Sequence, residues 1–559
     1  MTFLRPDRFF RWSAAITIAM LMVSASARAD ERGALRERVR ELSSTQNPMV
    51  DGAPIATILG ITKLYELRSW EPVWTDPSMV RQLYDGVLQS AEHGLNPDDF
   101  HAHQLGARLD AGPAAGDPRY RADTEILCSD AFARLLVTLR FGKLDPSTFD
   151  TAWNFSREIL NQNPVLAING LLQSRQVSGA FEMAAPGVPK YDLLRQALVT
   201  YQDIGAKGGW PRVPEGDGMK LGSTGPRVVV LRYRLRVTGD FGGPTPANPE
   251  VFDEQLEAAV KRFQRRHGIA ADGAIGPRSL EELNVPVEER IDQIRANLER
   301  ARWVFRDIED TFIIVNIAGF YLELVEHGER TWRTKVQVGK PYHATPVFKS
   351  TLKYAEFNPT WTIPPGILRK ETLPAIRRDP SYLSRNNMSV VTTSGTIVDP
   401  ATIDWAATTK GFPYMIRQEP GTRNALGQVK FIFPNKYMVY LHDTPSKGLF
   451  ARAERAFSHG CIRTENPFDL AVHLFDDQGW DRARIDRVVE SRKTSRVNLE
   501  KPVTVMLLYW TADMDEHGTV SFYKDVYSRD ARIIRGLDEP FRIDPPAGAR
   551  EAVEGRASR

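Results

Sequence analysis

The first long stretch of the chain has apolar residues at helical spacing. Leu35, Val39 and Leu42 lie four and three positions apart, so they share one face of a helix. The run from 126 to 139 is apolar enough to form a buried helix, and Gly and Pro residues separate such runs. We therefore predict a helical scaffold domain over residues 30–220.

Two smaller helical units follow. The clearest helix of the first has four apolar residues at positions i, i+3, i+4 and i+7, namely Leu256, Ala259, Val260 and Phe263. Gly268 ends this helix, and turns then lead to a last short helix, so residues 221–285 are predicted to form a compact domain. Residues 286–306 are predicted to be one connecting helix with a polar outer face.

From Thr311 onward, apolar and polar residues alternate, which is typical of half-buried strands. The alternation stops between about 364 and 422, where Pro residues break a helical segment, and it resumes afterwards. The pattern predicts a multidomain α+β fold, with a β-rich domain over residues 307–530 that contains an insertion. Residues 531–559 are predicted to be a loose C-terminal tail.

Residues 1–29 have the pattern of a secretory signal peptide. Three arginines precede an apolar run from Ala14 to Val23, and Ala27-Arg28-Ala29 has the small residues of a cleavage site. The run is short for a membrane span, and an uncleaved N-terminal anchor is the alternative. We therefore expect a periplasmic protein that contacts the membrane only if the signal is retained.

Composition and charge exclude some functions. The chain is 42% hydrophobic and 26% charged, which is ordinary for globular proteins. Its formal net charge is +3, and residues 1–29 carry four Arg against one Asp, which equals the whole excess. The mature chain is then nearly neutral, so its charge does not predict nucleic-acid binding. Motifs for a metal or an organic cofactor are absent from the sequence, so neither is expected.

The two cysteines are predicted to have different roles. Cys128 lies at helical spacing among apolar residues, which favours a buried and inert side chain. Cys461 lies in the run Ser458-His459-Gly460-Cys461, 19 positions after His442. An imidazole within reach of a thiol can take its proton, and the thiolate can then attack a carbonyl. A disulfide between the two cysteines, which export would permit, is the alternative.

The residues around Cys461 predict a local geometry for such chemistry. A short strand over 438–441 would deliver His442 at its end, and Asn466-Pro467 has the pattern of a helix start. A bend at Gly460 would expose backbone N–H groups to an oxyanion, and the donors predicted are those of His459, Gly460 and Cys461. A buried cysteine near an ordinary histidine fits the same spacing.

These residues resemble the signature of L,D-transpeptidases of the YkuD type. That signature has a His, a spacer, then Ser-His-Gly-Cys and an Arg or Asn two places on, and the last position here is Arg463. The flanking segments 433–450 and 455–463 are similar to the large periplasmic YcbB-like branch of the family. Residues 260–284 resemble the three-helix peptidoglycan-binding module of wall enzymes. Asp443 departs from some relatives, which leaves the role of its side chain open.

The resemblance implies a reaction on peptidoglycan stem peptides. Cys461 would be the nucleophile and His442 the general base and acid, and the insertion would cap the cleft. A tetrapeptide donor would form a thioester and release D-Ala, and an acceptor amine would then form a 3-3 cross-link. Candidate substrate-binding residues are Arg463, Tyr440, Ser458 and Trp361. Wall-synthesis enzymes are candidate partners.

Other functions fit the same residues. A wall L,D-carboxypeptidase or endopeptidase would use water as the acceptor, and an exchange enzyme would use a D-amino acid. A non-catalytic peptidoglycan-binding scaffold would not need the cysteine. The intact Cys–His motif argues against the scaffold.

Overall fold

The computed structural model describes residues 29–112, 117–155, 163–306, 308–409, 411–515 and 518–542. The predicted signal peptide, apart from its last residue, lies outside these ranges. Every helix within them is too short or too polar to cross a lipid bilayer.

The N-terminal region is helical, and several of its helices begin where Asp or Asn precedes Pro. Asp76, Asp117 and Asn163 each accept a hydrogen bond from a first-turn N–H group, and Pro occupies the next position. The helices are α1 (29–43), α2 (Ile58–Leu67), α3 (Pro77–Gln89), α4 (Ala102–Ala111), α5 (Pro118–Phe141), α6 (Pro164–Ser174), α7 (Val177–Ala184) and α8 (Pro189–Ala206), with a hairpin of β1 (Met49–Val50) and β2 (Ala53–Pro54). Single 3-10 turns cover Ser90–His93, Pro97–Phe100 and Pro146–Thr148.

Helix α5 runs through the centre of this region. Cys128 on it is fully buried, which confirms that prediction. Asp130, two residues further on, is also fully buried and accepts hydrogen bonds from Thr57 and His101. The buried guanidinium of Arg134 pairs with the same carboxylate. A buried charge is tolerated where it is paired and hydrogen-bonded, so this network fixes the hairpin side of the scaffold to α5.

The next unit has a hydrophobic cluster of its own. Its helices are α9 (Pro226–Val237), α10 (Glu254–Arg266) and α11 (Pro277–Leu283). All four apolar residues predicted for the inner face of α10 are fully buried, which confirms that face. Gln264 fixes the following turn, since its amide donates to the Ala274 carbonyl and accepts from the Gly273 N–H.

Helix α12 (Val287–Val304) links this unit to the β-rich domain. The predicted polar outer face is wrong for the C-terminal half of α12, because residues 296–304 are all buried, including charged side chains, while Glu288 and Glu289 in the first turn are exposed. Glu299 and Arg302 have no exposed side-chain surface and form an ion pair with a 2.7 Å N–O distance. Arg302 also donates to the His93 carbonyl and to the Tyr191 hydroxyl. Sequence periodicity cannot distinguish a solvated charged face from one that is buried and paired.

The β-rich domain begins with four strands and then an insertion. The strands are β3 (Phe312–Asn316), β4 (Tyr321–Glu326), β5 (Glu329–Gly339) and β6 (Phe348–Phe357), with a 3-10 turn at Pro341–His343. The insertion contains β7 (Trp361–Thr362), α13 (Pro365–Ile367), a π-helical turn (Leu368–Thr372), α14 (Leu373–Arg378), α15 (Tyr382–Arg385), β8 (Met388–Val391), β9 (Ile397–Val398) and β10 (Met415–Gln418), with 3-10 turns at Pro400–Thr402 and Ala407–Thr409. Its four strands form a separate sheet in the order β7-β10-β8-β9, over a separate hydrophobic cluster.

The chain then returns to the main sheet. The remaining elements are β11 (Val429–Ile432), β12 (Leu441–His442), β13 (Ala456–Ser458), β14 (Ile462–Thr464), α16 (Pro467–Phe475), α17 (Arg482–Glu490), β15 (Ser495–Leu508), β16 (Ala512–Met514), β17 (Val520–Phe522) and α18 (Asp530–Asp538), with 3-10 turns at Lys447–Ala451 and Asp476–Gln478. The nine strands of the main sheet are ordered β13-β5-β14-β12-β11-β6-β15-β3-β4. Because β5 also pairs with β4, the sheet closes on itself around an apolar interior. The predicted multidomain α+β class is confirmed.

Two local predictions need correction. The strand predicted over 438–441 is Leu441–His442, because Met438 has a φ of +54° that no strand residue adopts. The predicted tail includes helix α18, whose Ile533 and Leu537 are buried and whose Asp530 pairs with Arg300 of α12. Residues 543–559 lie outside the described residues.

Replacing Arg302 by Met should lower the free energy of unfolding by about 3–5 kcal/mol, because Glu299 would remain buried and charged without its partner. Chemical denaturation measures this loss. Adding Glu299→Gln should recover part of it. The control, Lys207→Met, breaks an exposed i,i+4 pair with Asp203 and should change stability by less than about 0.5 kcal/mol. Equal losses of stability in Arg302→Met and Lys207→Met would contradict a special role for the buried Glu299–Arg302 pair.

Candidate active site

Two parallel strands bring the predicted cysteine and histidine together. In the β12–β14 pair, Leu441 lies opposite Ile462, and His442 lies opposite Arg463. The pairing continues one step earlier, since the Ile462 N–H donates to the Tyr440 carbonyl at 3.1 Å. Cys461 and His442 are therefore diagonal neighbours on adjacent strands, a separation of about 7–8 Å between Cα atoms that side chains can bridge.

The same register decides which way the side chains point. Leu441 and Ile462 are fully buried in the apolar interior of the closed sheet. Because successive side chains of a strand alternate between faces, Tyr440, His442 and Cys461 lie on the outer face. The rings of Tyr440 and His442 are 5.9 Å apart, as expected for residues on one face.

His442 is held as a neutral base. Its Nδ1 lies 2.5 Å from the Asp443 carbonyl, and because a carbonyl only accepts, Nδ1 carries the proton and Nε2 keeps a free lone pair. Burial first, and then the nearby Arg463 cation, lower the pKa of His442 to about 3, against the opposing effect of the Asp443 and Leu426 carbonyls. The imidazole is thus uncharged at neutral pH.

Cys461 is held as a neutral thiol. Burial raises its pKa above the ordinary value, while hydrogen bonds from Tyr440 and the charge of Arg463 oppose that shift. The thiol donates to the Met438 carbonyl at 3.6 Å. Burial disfavours the charged form of both groups, so a thiolate–imidazolium pair is disfavoured in the resting state. In the part of the chain that the structure describes, the thiol and the imidazole do not hydrogen-bond each other, and both contact Tyr440.

The positive charge of Arg463 shifts the pKa of both Cys461 and His442. Its guanidinium favours the thiolate of Cys461 and disfavours the imidazolium of His442. One Nη atom donates to the Gln337 side chain at 3.3 Å, and the Nε has no hydrogen-bond partner among the described residues. A half-buried cation with an unused donor beside the thiol is a suitable group to receive a carboxylate.

Hydrogen bonds within residues 458–461 fix the conformation of the loop before Cys461. The Ser458 hydroxyl donates to the Cys461 carbonyl at 2.6 Å and accepts from the Gly460 N–H at 3.0 Å. Gly460 has a φ of +116°, which side-chain-bearing residues rarely adopt. The predicted oxyanion donors therefore need correction, because the Gly460 N–H is already used and those of His459 and Cys461 remain the candidates. Ser458 is buried and supports the loop.

Sequence reasoning missed the residues beneath this loop. Thr345 is fully buried, and its hydroxyl accepts from the Gly339 N–H and donates to the Gly460 carbonyl. A Cβ on Gly339 would lie 2.0 Å from the His343 carbonyl, so the site excludes any side chain. The Tyr527 hydroxyl donates to the Gly339 carbonyl at 2.6 Å. These residues lie far from the motif in sequence, and spacing contains no signal for them.

The side chain of Asp443 now has a defined role. It accepts from the Gln428 N–H at 2.9 Å and pairs with Lys447 at 2.6 Å. A Cβ on Gly427 would lie 2.3 Å from the Asp443 carboxylate, so the loop packs tightly on it. The side chain thus positions the backbone whose carbonyl orients His442.

The insertion reaches the cysteine loop through a hydrogen bond between Glu371 and His459. Glu371, in the π-helical turn, lies 2.8 Å from Nε2 of His459. Trp361 lies in β7, opposite Gln418 of β10, and packs on the insertion's own hydrophobic cluster. Packing within the insertion therefore accounts for Trp361, while Glu371 is the residue that touches the cysteine loop.

Both cysteines are free thiols. Within the described ranges, His, Cys, Asp and Glu residues form no group of three or more that could hold a metal ion.

Family models match three parts of the chain. Residues 310–476 match the L,D-transpeptidase catalytic domain called YkuD, and residues 60–198 match a scaffold domain. Residues 224–283 match a candidate peptidoglycan-binding domain. A Haemophilus influenzae protein described as a candidate L,D-transpeptidase is 38% identical over 221 residues, which is 40% of this chain and 45% of that protein. The chain thus covers less than half the length of this relative.

Two solved structures are also similar, with low TM-scores. One is an L,D-transpeptidase fragment from Xylanimonas cellulosilytica, with 15% identity and a TM-score of 0.18, covering 53% of this chain and 99% of that one. The other is a fused Zn-dependent amidase/peptidase with a peptidoglycan-binding domain from Clostridium acetobutylicum, with 13% identity and a TM-score of 0.14, covering 53% and 100%. TM-scores this low do not establish a shared fold.

The reactivity of Cys461 should rise with pH without a plateau near neutrality. Its raised pKa means that the thiolate fraction, and hence the rate of alkylation by iodoacetamide, increases about tenfold per pH unit between pH 6 and 9. Mass spectrometry of the labelled protein measures this rate. Cys461→Ala should take up no label, because Cys128 is buried. A rate that levels off below pH 7 would indicate the ion pair instead.

Thr345→Val should loosen the cysteine loop, because the Gly339 N–H and the Gly460 carbonyl would each lose a buried partner. We expect the free energy of unfolding to fall by about 1–3 kcal/mol. Denaturant titration measures this change. Thr345→Ser keeps the hydroxyl and is the matched control, so equal losses in both variants would show that the hydrogen bonds are not the cause.

Proposed function

We propose that the protein cross-links peptidoglycan stem peptides through a thioester on Cys461, because residues 310–476 match the L,D-transpeptidase catalytic domain called YkuD. The observation that carries this proposal is the parallel β12–β14 register, which places a thiol and a neutral imidazole on one outer face. A base with its free lone pair on Nε2 and a thiol that is protonated at rest are the two groups that acyl transfer requires.

The first step forms the thioester. The thiol rotates away from the Met438 carbonyl, and Nε2 of His442 takes its proton as the sulfur attacks the carbonyl of the third stem residue. Backbone N–H groups of His459 and Cys461 stabilise the oxyanion, and one such donor is typically worth about 3–4 kcal/mol. The tetrahedral intermediate then expels D-Ala, whose amine takes the proton from His442.

The second step consumes the thioester. An amine on the third residue of another stem attacks the thioester carbonyl, and His442 removes the proton from that amine. The sulfur leaves as a thiolate and recovers a proton, so a 3-3 peptide bond is formed and the enzyme returns to its neutral state. Arg463, with its unused Nε donor, is suited to hold a carboxylate of the donor.

The insertion supports transfer over hydrolysis. A thioester open to water would hydrolyse, so a cover that remains in place until the amine arrives favours the cross-link. The Glu371–His459 contact places the insertion directly against the cysteine loop. Tyr440, which lies beside both reacting groups, would line the donor site, and Trp361 would act only through the packing of the insertion.

The substrate also suggests a location. Peptidoglycan lies outside the cytoplasm, and the secretory signal predicted over residues 1–29 would deliver the protein to the periplasm.

An intact-mass measurement with a carbapenem tests the nucleophile. We expect one covalent adduct per chain in the native protein and in Cys128→Ala, and none in Cys461→Ala. His442→Ala should slow acylation about 10²–10⁴-fold, which is the usual effect of losing a general base. An adduct that persists in folded Cys461→Ala, or a native protein that never forms one, would reject the proposed chemistry.

Product analysis separates transfer from hydrolysis. A disaccharide tetrapeptide incubated with the enzyme should yield D-Ala and a cross-linked dimer. Release of D-Ala with tripeptide as the only other product would identify a carboxypeptidase.

A further inference from the structure

A groove of about 830 Å³ lies between the α9–α11 unit and the β-rich domain. One wall consists of the turn after α10 and the start of α11. The other consists of the turn before β4 with its first residue, the middle of β5, and residues 450–455, 465–466 and 523–524. Residues 450–455 and 465–466 flank β13 and β14, so the groove adjoins the strands on either side of the cysteine loop.

The groove is positively charged. Seven Lys and Arg side chains and three carboxylates line it. Arg265 and Arg278 on the first wall are exposed, as are Arg333 and Lys335 on the second. The lining cations outnumber the lining carboxylates by four. Some cations have partners, since Lys335 lies 3.5 Å from Glu465 and Arg333 lies 3.4 Å from Glu323, which is outside the lining, so three positive charges remain in excess when Glu323 is counted as well.

The groove and Cys461 share one face of the sheet. Arg463 lies opposite Gln337 in the β14–β5 pair, and the Glu465 N–H donates to the Lys335 carbonyl. Because side chains alternate along a strand, residues 333, 335 and 337 of β5 are on the same face as residues 461, 463 and 465. Four residues of strand from Cys461 to Glu465 span about 13 Å.

The two walls are fixed relative to each other. Arg266 at the end of α10 forms a buried pair with Asp240 at 2.5 Å and also reaches the Val520 carbonyl. The His267 ring stacks on Phe522, 5.7 Å away. The α9–α11 unit is therefore seated on the β16–β17 hairpin by buried polar and aromatic contacts, and the groove does not depend on a flexible linker.

We propose that this composite groove binds the glycan-linked, acidic end of the donor stem peptide whose carbonyl Cys461 attacks. This inference rests on the proposed function. If the attacked carbonyl belongs to the third stem residue, three extended residues separate it from the sugar, a span of about 10 Å. That span is close to the about 13 Å of strand from Cys461 to Glu465 at the near edge of the groove. Cations line both walls, where a carboxylate of the stem would then lie.

The test compares two donors for each enzyme variant. One donor is the free tetrapeptide, and the other is a soluble, uncross-linked glycan strand carrying the same tetrapeptide. The measured quantity is the ratio of kcat/KM for the polymer to that for the free peptide. Arg278→Glu changes the first wall, and Lys335→Glu changes the second. Lys220→Glu, an exposed residue of the same unit outside the groove, is the matched control.

We expect the ratio to fall about threefold or more in each wall variant and to remain at the native value in Lys220→Glu, because an exposed charge contact is worth up to about 1 kcal/mol. An unchanged ratio in both wall variants would overturn the proposal that the groove binds the donor. A loss confined to Arg278→Glu would also overturn it, since the α9–α11 unit alone would then bind the glycan.

A native enzyme that transfers neither donor would reject the proposed function. The groove is then judged by a fluorescence-anisotropy titration of the labelled polymer with each protein. Binding that both wall variants weaken and Lys220→Glu does not would support the groove, and binding equal in all four proteins would overturn it.

Discussion

The parallel pairing of two short strands is the constraint on which the site depends. With Leu441 opposite Ile462, both apolar side chains enter the interior, and the alternation of the strand then leaves Tyr440, His442 and Cys461 outside. A shift of one residue would bury the thiol and the imidazole and expose the two apolar side chains. The hydrophobic interior of the closed sheet therefore enforces the catalytic register, and the same pairs that stabilise the fold orient the reactive groups.

Burial sets the protonation of the site. Both the thiol and the imidazole are more stable uncharged where they lie, and the single cation of Arg463 favours the thiolate while opposing the imidazolium. Hydrogen bonds of Ser458, Thr345 and the Asp443 carboxylate to the nearby backbone hold the loops around Cys461 and His442 in one conformation.

The domains are joined by buried polar contacts. Arg302 of helix α12 donates to the His93 carbonyl of the scaffold, and Arg266 of the α9–α11 unit donates to the Val520 carbonyl of the β-rich domain. Separating either interface would leave a buried guanidinium donor without its acceptor, which is costly.

The sequence alone determined the α+β class, the inner face of α10, the buried state of Cys128 and the run that contains Cys461 and His442, since each depends on spacing within a short segment. Only the tertiary structure decided that Glu299 and Arg302 of α12 are buried as a pair and that Thr345 and Tyr527 lie beneath the cysteine loop. It also decided that the Gly460 N–H donates to the Ser458 hydroxyl. These features depend on contacts between residues far apart in the chain. The neutral resting state of the thiol and the imidazole also required the structure, because a pKa depends on burial and on neighbouring charges, and local spacing specifies neither.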